Sequence, residues 1–223
     1  MVFASVSSPL FWLPAVVISV VALGCAVAVA PWRQLLAKSY RQHAFWAAVL
    51  GLGLFWQLKV DIMQVMGLHP LLMMSVVMIF GCALGICVGA LALLVGMLFH
   101  SEPWPMLALQ FCLDVLLPGL VAAGVLNLIE RLPFRNLFVY MLGGGFFGGM
   151  LTVQGMAAAS WLYVWLLGPE PLLVIVSDHY YLTLLMMFPE GFMNGALMST
   201  LTVLAPDLVK TYDDHQYLDD DHR

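Results

Sequence analysis

Charge is what this sequence has least of. Only 9% of its 223 residues are Asp, Glu, Lys or Arg, while 63% are hydrophobic. A soluble domain carries about 25% charged residues to cover its surface. A water-soluble globular protein is therefore excluded, and lipid is the implied solvent. Basic residues are scarcest, with 8 Lys plus Arg against 13 Asp plus Glu and a net charge of −5. That balance excludes nucleic acid as a partner. Most of the excess sits in Asp213, Asp214, Asp219, Asp220 and Asp221, which read as a solvated acidic tail.

Other absences narrow the chemistry. The four cysteines (Cys25, Cys82, Cys87 and Cys112) form no CxxC pair and lie within apolar runs, as small hydrophobic side chains do. There is no GxxxxGK[ST] loop, no HExxH helix and no GxSxG elbow. The expectation is a protein that is not an enzyme and carries no cofactor. Any active transport would draw on an ion gradient or on a separate subunit. The first eight residues hold no Lys or Arg, so the basic region of a secretory signal is missing. The run Pro9 to Ala30 is about 20 residues long, enough for a retained first membrane helix.

What is present is a series of apolar runs: 9–31, 43–58, 70–99, 105–129, 136–168 and 180–205. They specify an all-α fold, an integral membrane bundle over 1–208 followed by an acidic tail over 209–223. If 70–99 holds two short crossings meeting near Gly81–Gly85, the bundle has seven helices with the N-terminus outside. Arg33, Lys38, Arg41, Arg131, Arg135, Lys210 and Arg223 are then cytoplasmic, and only Lys59 is outside. A single helix there moves Arg131, Arg135, Lys210 and Arg223 outside, so the positive-inside rule favours seven and places the C-terminus in the cytoplasm. Two crossings of fifteen residues rise only about 22 Å against a core of about 30 Å, so they must extend into loops or be shielded by protein. The run 136–168 is long enough to hide a break.

Small residues recur at helical spacing: Gly81, Gly85 and Gly89; Gly144/Gly148 and Gly145/Gly149; Ala22, Ala26 and Ala30. Such faces let helix backbones approach in lipid. They either pack the bundle or, on the face of helix one above all, dock another membrane subunit.

Charged groups inside a membrane cost about 2.5–3.5 kcal/mol on insertion scales. Asp114, in LQFCLDVLLPG, and Glu190, in FPEGFMNG, are the two that need a reason. Gln110 lies one turn before Asp114 and Asn194 one turn after Glu190, giving each carboxylate an amide on its own face. Pro118 and Pro189 each remove a helical hydrogen bond, freeing the carbonyls of Asp114 and Leu185. These groups either line a polar cavity or bond across helices to fix the bundle. His69, in GLHPLL, is either a wet boundary residue or a metal ligand, since neutral imidazole suits nickel, cobalt, copper and zinc. His100, in LFHSEPW, poses the same question on the same side. His179, beside Asp178, poses it more weakly still, and His215 and His222 sit among tail aspartates where solvation explains them.

Four stretches in order make the chain familiar: FWQLKV, GLHPLLMMSVVMIFG, NLFVYMLGGGFFGG and FPEGFMNGALMSTLTVLAPDLVKTYDDHQYL. With them the chain resembles the CbiM/NikM family, the cobalt and nickel substrate-capture components of energy-coupling-factor transporters, in a divergent proteobacterial branch. The resemblance spans about Phe45 to Leu218. It implies seven helices with the N-terminus outside, and a metal site near the outer face in which a histidine matching His69 joins the N-terminal amine of Met1 and a second-position histidine. It also implies a coupling transmembrane subunit and ATPase subunits as partners, in the inner membrane. Position 2 is valine here, and the family's asparagine after helix four is matched by Gln110. Either the metal differs, His100 or Asp114 supplies the missing ligand, or the substrate is not a metal. Glu190 matches a glutamate at the start of the family's last helix, with a structural or coupling role.

Three functions follow. The first is transition-metal uptake with His69 as ligand and energy from separate subunits. The second is a gradient-driven carrier in which Asp114 and Glu190 relay protons. The third is a scaffold that assembles other proteins through its glycine faces.

Overall fold

Gly81 divides the third apolar run. Its φ of +81° is open to glycine at no steric cost, and the helices on either side end and begin there. In a continuous helix, positions 77 and 85 would lie about 12 Å apart. A Cβ built on Gly85 would instead sit 3.4 Å from Val77 Cα, so the chain turns back on itself. The expectation of two segments in 70–99 is met, with the break at Gly81.

A computed structural model describes residues 2–3, 9–62, 66–99, 104–132 and 136–212. The helices are α1 (Pro9–Val29), α2 (Trp32–Leu36), α3 (Ser39–Phe55), α4 (Met73–Phe80), α5 (Cys82–Met97), α6 (Trp104–Gln110), α7 (Leu117–Glu130), α8 (Gly149–Leu167), α9 (Glu170–Asp178) and α10 (Tyr180–Leu204). Two π-helical stretches join them: Phe111–Leu116 links α6 to α7, and Val139–Gly148 leads into α8. The run 136–168 thus hides no break, and Val139–Leu167 is one rod. Gly168 ends it, because Pro169 pushes the residue before it into extended backbone.

The chain is a helical membrane protein. Among the described residues three helices are long and apolar enough to cross a bilayer, or four if α9 and α10, bent by 48°, form one span. α3 and the α4–α5 hairpin are shorter. The all-α expectation omitted a small antiparallel sheet in the order β1-β3-β2, formed by Val2–Phe3, Met66–Leu68 and Val60–Ile62. Its strands are too short for a period-2 pattern to stand out of the sequence. It lies at the end of the bundle where α4 begins.

At the opposite end the chain returns to α4. The amides of Lys210 and Thr211 donate to the carbonyls of Ile79 (3.0 Å) and Met78 (3.2 Å), closing the helix's last turn. Thr211 Oγ1 also reaches Met78 O (2.9 Å) and Tyr140 Oη (2.7 Å).

The small-residue faces pack this bundle internally. A Cβ on Gly89 would sit 2.5 Å from Val115 Cγ1, and one on Gly145 would sit 3.0 Å from Gly195 Cα. Ala26 of α1 and Ala30, just past its end, are buried in the chain's own core. Leu13, Val17, Val20 and Val21 of α1 are exposed, where lipid would cover them.

Candidate functional site

The site grows from the junction between β3 and α4. Pro70 disfavours helical backbone at the residue before it, so the chain leaves the sheet through His69 in an irregular stretch before α4 starts at Met73. His69 is only 5% exposed. Its Nδ1 lies 3.2 Å from the carbonyl of Pro70, and its Nε2 lies 3.3 Å from Asp114 Oδ2.

Asp114 is fully buried and comes from the π turn between α6 and α7. There the Leu117 N–H donates to Cys112 O, five residues back. In that register the position opposite the Asp114 carbonyl shifts from Pro118, which has no N–H, to Gly119. The proline identified in the sequence thus coincides with a local change of helix type at the carboxylate. Gln110, one turn earlier, is also buried and faces the same space.

That space is a cavity of about 50 Å³ bounded by Trp56, Lys59, His69, Gln110 and Asp114, with the apolar face of α5 from Ala92 to Met97 opposite. It has room for a small cation with one or two waters. Two donors bound at about 2.1 Å to one cation, 90–110° apart, are separated by about 3.0–3.4 Å. The 3.3 Å between His69 Nε2 and Asp114 Oδ2 falls in that range and is loose for a closed hydrogen bond. Where Nδ1–H donates to Pro70 O, the Nε2 lone pair faces the Asp114 carboxylate and the two can act together as donors to a cation; in the other tautomer Nε2–H donates to Oδ2.

Glu190 and Asn194 lie elsewhere. Glu190 does not line the cavity; its Oε2 accepts the Leu71 N–H (2.8 Å) and its Oε1 the Leu72 N–H (2.6 Å). Asn194 Nδ2 donates to Glu190 Oε1 (2.9 Å), and its Oδ1 accepts from the N–H (2.9 Å) and hydroxyl (2.7 Å) of Ser75. Together they cap α4 from another helix, since α4 has no cap of its own. The amide one turn from Glu190 bonds it, and the amide one turn from Asp114 lines the same cavity. The sequence did not show that one pair faces a cavity and the other a helix end.

Trp56 and Lys59 were the cavity residues that polarity alone did not identify as a site, though both lie in FWQLKV. His179 stands apart, its Nδ1 on the carbonyl of Ile175 at the end of α9 (2.8 Å). Met1, His100, His215 and His222 lie outside the described residues. Among those described, no three His, Cys, Asp or Glu gather as a ready metal shell. The donors brought together are His69 and Asp114, with Gln110 beside them.

A family model described as the cobalt uptake substrate-specific transmembrane region matches residues 5–208. No curated protein and no solved structure matches the chain significantly.

Proposed function

Because the chain belongs to the cobalt-uptake substrate-specific transmembrane family, we propose that it captures a divalent cobalt or nickel ion at the His69–Asp114 cavity. The observation that carries this reading is the buried pair itself, an imidazole nitrogen 3.3 Å from a carboxylate oxygen at the wall of a small cavity. Nitrogen and carboxylate donors suit these ions, and geometry would exclude wrongly shaped competitors. Asp114 takes the place of the second-position histidine that this sequence lacks, and Gln110 or water completes the shell. The N-terminal amine of Met1 and His100 are the further candidate donors.

On this reading the bundle has seven crossings: α1, α3, α4, α5, α6–α7, α8 with its π-helical lead, and α9–α10. Its N-terminus and the small sheet face outward and Lys210 faces the cytoplasm, as the charge distribution favours. The irregular stretch before α4 adds to the length that its eight residues lack. The chain sits in the inner membrane and works with a coupling membrane subunit and ATPase subunits of an energy-coupling-factor transporter. The proton-coupled carrier is less favoured, because Glu190 is bonded to Leu71 and Leu72 and does not line the cavity with Asp114.

The test is metal analysis and titration of purified protein. Wild type should bind one Co²⁺ or Ni²⁺ per chain, and His69→Ala should abolish binding. Equal binding by the mutant would overturn the site. Uptake that persists without any ATPase subunit, and collapses with a protonophore, would move the function to a carrier.

A further inference from the structure

Glu190 is a fully buried carboxylate that the proposed metal site does not use. Its hydrogen bonds show where its effect is felt. Both oxygens accept amides from Leu71 and Leu72, two and three residues beyond His69. On the other side of the same stretch, Trp56 Nε1 donates to Leu71 O (3.2 Å). The segment is therefore held through its N–H groups by α10 and through a carbonyl by the end of α3.

The held backbone is not one that the sequence would adopt freely. Leu72 has φ +54° and ψ +11°, the left-handed region that a leucine rarely enters. It is the only non-glycine residue with positive φ among those described. Two short bonds to one carboxylate hold it there. Between this clamp and His69 lies only Pro70, whose ring fixes φ. Few torsions thus separate the Glu190 carboxylate from the imidazole, and a shift of Leu71 moves His69 relative to Asp114.

Resting on the metal-capture reading, we propose that Glu190 is the positioning residue of the His69 site. It touches no ligand, but it sets the distance from His69 to Asp114 by clamping the backbone from 71 to 72. Asn194 orients it, donating to its Oε1 while holding Ser75 with its own oxygen.

The experiment compares wild type, Glu190→Gln, Asn194→Ala and His69→Ala, purified in detergent, for Co²⁺ stoichiometry, affinity, visible absorption and melting temperature. Hydrogen exchange at Leu71 and Leu72 is measured on the metal-free proteins. Glu190→Gln keeps the shape but only one acceptor oxygen. It should still bind one Co²⁺ with the wild-type absorption envelope, about 10–100-fold more weakly, and exchange faster at Leu71 and Leu72. Asn194→Ala should shift affinity in the same direction by less, and it decides the matter if Glu190→Gln does not fold. A lower melting temperature with unchanged affinity overturns the proposal in favour of a purely structural staple. Lost stoichiometry with a changed spectrum overturns it in favour of a direct ligand. If wild type binds no Co²⁺, or His69→Ala binds like wild type, the metal reading itself falls and takes this proposal with it.

Discussion

The indole of Trp56 lies against the imidazole of His69, with ring centroids 5.4 Å apart and tilted by 49°, while its N–H holds the carbonyl of Leu71. One residue thus touches both the candidate ligand and the backbone that carries it. A cobalt or nickel ion at His69 would be close enough to quench this indole among the seven tryptophans of the chain. Titration with Co²⁺ should give a saturable partial loss of fluorescence with a one-to-one endpoint. Trp56→Phe should lose that quenching while direct metal analysis still finds the ion. Undiminished quenching in the mutant would place the ion elsewhere.

Asp114→Asn should separate binding from stability. The amide keeps the shape but removes the charge that would offset a divalent cation, so Co²⁺ affinity should fall by at least about 100-fold. The apo protein should melt at the same temperature or higher, because burying a carboxylate in a membrane is unfavourable. A destabilised mutant with wild-type affinity would make Asp114 a structural residue.

Gly89 and Gly24 make a paired test of packing. An alanine Cβ at position 89 would meet Val115 Cγ1 at 2.5 Å, next to Asp114, whereas at position 24 nothing lies within 4 Å. Gly89→Ala should cost about 1–3 kcal/mol through overpacking and weaken metal binding as Val115 is displaced. Gly24→Ala should be neutral or stabilising by up to about 1 kcal/mol through helix propensity. Thermal melts in detergent check both.

Thr211 holds the end of α4 remote from the site. Thr211→Val loses the contacts to Met78 O and Tyr140 Oη, about 1–2 kcal/mol in all. The melting temperature should drop while Co²⁺ affinity stays at the wild-type value. That contrasts with Glu190→Gln at the other end of the same helix, where affinity should change most.

Composition alone made this a membrane protein, because 9% charged residues cannot solvate a surface of this size. Charge placement also put a reversal near Gly81–Gly85, which the structure sets at Gly81 where φ is +81°, and the cost of burying charge marked Asp114 and Glu190 as residues that need partners. The partners themselves were decided only in three dimensions. His69 meets Asp114 across 45 residues and Glu190 meets Leu71 across 119, separations at which periodicity carries no information. Sequence left open whether these groups line a polar cavity or bond across helices. The bundle turns Asp114 to the imidazole through a π-helical turn and Glu190 to the uncapped start of α4. A buried carboxylate must be satisfied by whichever donors the packing brings to it, and packing is a property of the whole chain.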